Sequence, residues 1–196
     1  MSIKSLTFLV FVLIVFCIYY AAQRTNLQKI VILAAGIVCM VSMSNIMATL
    51  IVVALAMCVY GIAIHMEALI KKNGGVISRA VKGWLALAIF LDIGLLIYFK
   101  FFKNSYFLLQ NIFAAKNIML AELVVPIGLS YYTLALYGYL MDIYHKKYSA
   151  ERDFLLFLAY VTYFPAIIEG PVNLYKKVAP QFREQHFFDG QKIVMG

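Results

Sequence analysis

The chain has 196 residues, of which 64% are apolar, and its 17 basic and 9 acidic side chains leave a net charge of +8. A soluble domain is about 45–50% apolar and about 25% charged, whereas here the charged share is 13% and the mean hydropathy is +0.88. That excludes a soluble globular domain, a disordered chain and a nucleic-acid module, because the charges fall in clusters between apolar runs, as loop charges of a polytopic membrane protein do.

A bilayer core of about 30 Å needs about 20 apolar helical residues. Ser5 to Gln23 supplies 19 uncharged residues between Lys4 and Arg24. This stretch is longer than the apolar region of a cleaved signal peptide, and Tyr20-Ala21-Ala22 is a poor cleavage site. It reads as a retained first span. From Ile30 to Met66 there are 37 residues without a charge, about 55 Å of helix and too long for one crossing. The polar cluster Ser42, Ser44 and Asn45 divides it into a second span near 28–42 and a third near 46–66. Lys71-Lys72-Asn73-Gly74-Gly75 is a turn.

A fourth span near 81–99 carries one charge, Asp92. The aromatics and lysines from Lys100 to Phe113 suit the headgroup level and predict an interfacial helix. A fifth span runs from Leu123 to Met141. The sixth, Phe154 to Ile168, has only 15 residues, or about 22 Å of helix. It contains Pro165 and ends at Gly170-Pro171. A short, broken segment is tolerated at membrane depth only where protein or a water-filled cavity covers its freed backbone groups. It is therefore the first pointer to a site. Asp189 then opens what reads as a new apolar helix, so the chain is expected to be the amino-terminal portion of a longer protein. The predicted fold is all-α, a polytopic bundle of about six spans plus interfacial helices, in one transmembrane domain over 1–196.

Loop charge gives a weak orientation. If six spans alternate, nine basic residues fall on one side (Arg24, Lys29, Lys71, Lys72, Arg79, Lys82, Lys146, Lys147 and Arg152) and eight on the other, Arg183 among them. The early loops lean towards the first side, which predicts an outside amino terminus.

Several residues are candidates for chemistry. Asp92 at the centre of a span would cost about 2.5–3.5 kcal/mol if charged and lipid-exposed, so it should face the bundle interior. There it serves either a relay or substrate contact, or an interhelical hydrogen bond. Gly128, Tyr132, Ala135, Tyr139 and Asp142 make one helical stripe, either a packing seam or a cavity wall, with Lys146 a turn beyond Asp142 to pair with it. Glu169 abuts the Gly170-Pro171 break. A straight sixth helix would hold Asp142 and Glu169 about 20 Å apart, and only a re-entrant segment would bring them together. His65, His145 and His186 neighbour neither a nucleophile nor a second ligand in sequence. Cys17, Cys39 and Cys58 lie within apolar runs without metal spacing, and no metal site is expected.

Beyond these readings, the second half of the chain carries a series of motifs. Tyr98-Phe99-Lys100-Phe101-Phe102 precedes Val125-Pro126-Ile127-Gly128-Leu129-Ser130-Tyr131-Tyr132-Thr133. Tyr139-Leu140-Met141-Asp142-Ile143-Tyr144, Tyr163-Phe164-Pro165, Glu169-Gly170-Pro171, Tyr175 and Ala179-Pro180-Gln181-Phe182 follow in order. This series, over about 98–196, resembles the membrane-bound O-acyltransferase family, in the bacterial branch that includes alginate O-acetyltransferases and the D-alanyl transfer protein of teichoic acid modification. Glu169 departs from the small or neutral polar residue usual there.

The resemblance implies a ring of tilted helices around a tunnel in a bacterial plasma membrane. Within it, an acyl group would pass from a thioester, on an acyl-carrier protein or acyl-CoA, to a hydroxyl of an extracytoplasmic polysaccharide or cell-envelope polymer. An accessory transferase is an alternative acceptor, and no bound cofactor is implied. The family's catalytic histidine matches no position here and is expected beyond Gly196. Tyr132, Tyr139, Asp142, Pro165, Glu169, Gly170 and Pro171 would then line or shape the tunnel. The alternative reading is a fragment of a polytopic transporter or channel, since broken helices and intramembrane carboxylates serve those proteins too.

Overall fold

The computed structural model describes residues 6–22, 24–113, 128–169 and 175–184. Eight helices occur among them, and no strand: α1 (Leu6–Ala21), α2 (Thr25–Met43), α3 (Ile46–Lys72), α4 (Arg79–Phe113), α5 (Leu129–Tyr144), α6 (Phe154–Val161), α7 (Phe164–Glu169) and α8 (Tyr175–Arg183).

The long apolar run breaks where its polar residues fall. Asn45 caps α3, its side-chain oxygen accepting from the Ala48 amide at 2.7 Å, while the Thr49 hydroxyl donates to the Asn45 carbonyl at 3.0 Å. The first of these bonds satisfies an amide that a helix start leaves without a partner, so the chain reverses at 44–45 rather than continuing. The next reversal uses Gly74 and Gly75 at φ +60° and +86°, the left-handed region that a side chain disfavours.

Among the described residues, three helices are long and apolar enough to cross a membrane: α2, α3 and Arg79–Phe101 of α4. Two shorter apolar helices, Leu6–Ala21 and Phe154–Ala166, accompany them. The predicted first span is thus a 16-residue helix, about 24 Å long. The predicted interfacial helix is not a separate element. It continues α4, which runs 35 residues without a break because no Gly or Pro lies between Gly94 and Phe113. Of the predicted fifth span, residues 123–127 lie outside the described set, and α5 begins after Gly128.

The core forms where α3, α4 and α5 pack on one another and α6 packs on α2. Ala56, Ala63, Ala88, Ala135 and Ala159 are buried at these seams, and small residues let membrane helices approach closely. Between them Met66, Tyr132, Tyr139, Phe157 and Tyr160 are almost wholly enclosed. Helix α1 buries no residue of its own and rests on α2.

The sixth segment is where the structure departs most from six alternating crossings. It breaks at Thr162–Tyr163, just before Pro165, and α8 packs back against α6, α5 and α2. The break fits against α2 at Gly36, where a methyl group would lie 2.1 Å from the Thr162 carbonyl oxygen. Only a glycine permits so close an approach.

Candidate functional site

The loop from Ser149 to Asp153, joining α5 to α6, gathers charge from most of the fold. Glu151 is buried, and its carboxylate accepts from the amides of Arg152 and Asp153 at 2.8 and 2.9 Å. It also accepts from the Tyr175 hydroxyl and, at 2.5 Å, from the Arg183 guanidinium. Its own amide donates to the Tyr139 hydroxyl at 2.9 Å. Burial pushes the Glu151 carboxyl upward, but the bonds from Tyr175, the Asp153 amide and Arg183, with the charge of Arg183, outweigh it and hold the group below the usual carboxylate range.

Its neighbours tie in the other helices. Asp153 caps α6, accepting from the Leu156 amide at 3.2 Å, and pairs with Lys29 of α2 at 2.5 Å. Burial raises the Asp153 carboxyl, and the Lys29 bond, the cap and the Lys29 charge together bring it below its ordinary value. Arg152 reaches Glu67 of α3 at 2.7 Å, and Lys71 meets the same carboxylate at 2.6 Å. The Tyr60 hydroxyl donates to the Arg152 carbonyl at 2.9 Å. Lys29, Lys71, Lys147 and Arg152, which loop counting assigns to one face, do share an end of the bundle. Arg183, assigned to the opposite face, joins them there. The correction has a physical reason: α6 alone spans only about 12 Å, and the chain then folds back instead of crossing.

Beneath this end the aromatic rings of Tyr139, Tyr160 and Tyr175 stack edge to face, with centroids 5.0 Å apart for Tyr139–Tyr175 and 5.2 Å for Tyr160–Tyr175. Tyr132 and Tyr139 of the predicted stripe are therefore enclosed by helix packing. Asp142 pairs with Lys147 at 3.1 Å, not with Lys146, which turns away at φ +58°. Asp92 is fully buried and faces Thr133 of α5. The side-chain hydroxyls of Tyr131 and Tyr132 make no hydrogen bond among the described residues.

Pro165 borders a cleft of about 290 Å³ between α1 and the break, walled also by residues of α2 and α8. Glu169 is the last residue of α7, its side chain outside the described set, and Gly170 and Pro171 lie outside it too. His65 is exposed and packs edge-on to Trp84 at 4.9 Å, and His145 is exposed beside Tyr144. No group of three metal-ligating side chains occurs among the described residues.

Glu151, Asp153, Glu67 and Gly36 are residues that sequence reasoning passed over. Glu67 carried a local signal, with Lys71 one helical turn on.

The fold is thus an apolar helical bundle whose broken segment and α8 are tied to one charged end by a buried carboxylate, and the comparisons narrow the class. The chain is 33% identical over 114 residues to a probable alginate O-acetylase of Pseudomonas aeruginosa, a match covering 57% of this chain and 22% of that protein. A probable alginate O-acetylase of Pseudomonas putida is 31% identical over 114 residues, covering 57% and 24%. A peptidoglycan O-acetyltransferase of Helicobacter pylori is 24% identical over 140 residues, covering 58% and 26%. The chain thus spans about a quarter of the length of these relatives, and its resemblance is to bacterial membrane-bound O-acyltransferases, as the motif series implies. No protein-family model matches the chain, and no solved structure does.

Proposed function

We propose that these residues form the amino-terminal wall and one mouth of a membrane-bound O-acyltransferase. The full protein would move an acyl group, acetyl in the named relatives, from a thioester to a hydroxyl of an extracytoplasmic polysaccharide or other envelope polymer. The similarity to alginate O-acetylases over more than half of this chain carries the reading.

In the reaction the acceptor hydroxyl adds to the thioester carbonyl and loses its proton to a base. The new C–O bond replaces the C–S bond, and the thiol departs with a proton. A histidine suits the base because its pKa of about 6.5 allows proton uptake near neutral pH. His65 is exposed on the surface of α3 and His145 is exposed just past the end of α5, so the base is proposed to lie outside the described residues. What this chain contributes is position. The break at Thr162–Tyr163 frees backbone groups at membrane depth, and the Glu151 cluster fixes the returning helix α8. The basic side chains at that end, Lys71, Lys147 and Arg152 among them, would attract a phosphate-bearing donor such as acyl-CoA or an acidic acyl-carrier protein.

The test is ester formation on the polymer by membranes containing the full-length protein and a labelled acetyl thioester. Polymer acetylation that depends on the protein supports the reading. Ion or solute flux without ester formation would replace it with a transporter.

A further inference from the structure

The cleft beside Pro165 has a polarity gradient that identifies its occupant. Its α1 wall is one helical face, residues 12, 15, 16, 19 and 20, and it extends about 12 Å along that helix. At the deep end the lining is apolar, Val12 and Val15 facing Ile32 of α2. Phe11 closes that end edge-on against Phe164 with centroids 5.8 Å apart. At the other end the lining turns polar, with Tyr19, Tyr20 and Gln181. There α1 finishes, the Gln28 amide reaches the Tyr19 carbonyl at 3.5 Å, and the exposed Arg24 follows.

An apolar slot that ends in tyrosines and a cation repeats the layering of one bilayer leaflet, from acyl tails through an aromatic belt to charged headgroups. The opposite side of α1 is exposed apolar surface, Val10 at 46% and Ile14 at 53%, suited to face lipid beside the slot. Its volume of about 290 Å³ is at the small end of ligand pockets, too small for a whole phospholipid. The headgroup-proximal part of a single acyl chain fits such a slot, with the headgroup left outside at Arg24.

We propose that this cleft is a lipid site: it takes one acyl chain of an anionic membrane phospholipid, whose phosphate pairs with Arg24. The proposal is independent of the acyl-transfer reading. The walls come from α1, α2, the break and α8, so a lipid seated there would also hold α1, which buries nothing of its own, against the re-entrant segment.

The experiment is native mass spectrometry of the full chain in detergent, with dioleoyl phosphatidylglycerol or dioleoyl phosphatidylcholine added at equal concentration. One phosphatidylglycerol per chain is expected to be retained, with a preference over phosphatidylcholine of about fivefold, the worth of one basic residue near the headgroups. Arg24→Gln should abolish the preference while retention of a lipid persists. Val15→Trp and, from the other wall, Ile32→Trp should each displace the lipid, and Ile14→Trp on the outer face should not. Equal retention by Val15→Trp, Ile32→Trp and the parent chain would overturn the site. So would equal loss in Ile14→Trp, which would mark lipid bound over the general surface. Binding without headgroup preference would remove Arg24 and the anionic lipid from the proposal.

Discussion

Arg183 lies 2.5 Å from the Glu151 carboxylate although 32 positions separate them in the chain. The two side chains differ sharply in environment, Glu151 being 4% exposed and Arg183 62%. An exposed guanidinium contributes little by charge, about 0–1 kcal/mol. The buried carboxylate matters through what it satisfies: the Tyr175 hydroxyl and two backbone amides.

The two halves of that pair should therefore respond unequally. Arg183→Ala is expected to cost about 1 kcal/mol or less, and Glu151→Ala about 3 kcal/mol or more, since it leaves buried donors unpaired. Thermal unfolding in detergent measures both. Equal losses would mean that the ion pair, not the hydrogen-bond hub, holds α8.

The same carboxylate sets a pH dependence. Its pKa is lower in the fold than the ordinary glutamate value of about 4.3, so its stabilisation is fully present above that value and is lost as pH falls through the folded one. The parent chain should hold a constant midpoint from neutral pH to about 5 and then fall. Glu151→Gln should start lower and show a shallower acid decline. An identical decline in both would assign the acid sensitivity to other carboxylates, Asp153 first among them.

Gly36→Ala should disrupt the meeting of α2 with the break. The added carbon would lie 2.1 Å from a backbone oxygen of Thr162 and 2.9 Å from its side chain, and backbone yields less readily than a flexible side-chain end. Overpacking of this kind costs about 1–3 kcal/mol or more. Gly61→Ala on α3, with nothing within 4 Å, is the control and should be neutral or stabilising by up to about 1 kcal/mol. Circular dichroism melts distinguish them, and equal melting points would show that the approach at Thr162 is not tight.

Much of this was legible where a break is announced by its own residues. Asn45 sits in an apolar run and caps the next helix, and Asn73-Gly74-Gly75 can only turn. Pro165 flagged the broken segment, and the break lies two or three residues before it, because proline is tolerated in a helix's first turn and not beyond. The Glu151 hub was not legible. Its partners Tyr175 and Arg183 lie 24 and 32 residues away, on an element that straight crossing places on the other face. Gly36 reads as any helical glycine until the chain it touches is seen. Asp92 was expected to face inward on cost alone, and it does.

Topology gives a direct check on the re-entrant segment. Cysteines placed at Asn73 and at the exposed Glu184 should be labelled by an impermeant maleimide from the same face of the membrane, the cytoplasmic one on the loop-charge reading. Six alternating crossings would label them from opposite faces. A cysteine before Lys4 should be labelled from outside if the early loop charges set the orientation.

Residues 1–196 by themselves are expected to be catalytically silent. Acyl transfer to a hydroxyl needs a base within about 2.6–3.2 Å of the proton it takes, directly or through one water. His65 is exposed and packed against Trp84, and His145 is exposed at the end of α5. Asp92 is buried between α4 and α5, facing Thr133. Glu151 is ionised but already bonded to Tyr175, Arg183 and two amides, which leaves it no lone pair for a substrate proton. A covalent route fares no better, because Cys39 is buried and Cys17 and Cys58 lie on exposed apolar faces with no base beside them among the described residues. The purified chain should accordingly form no ester above background with any acetyl thioester, while a full-length alginate O-acetylase in the same membranes does. Turnover by residues 1–196 that disappears in His65→Ala, His145→Ala, His186→Ala or Asp92→Asn would place the reacting centre within this chain, and would then require the Tyr139–Tyr175 region to open to solvent.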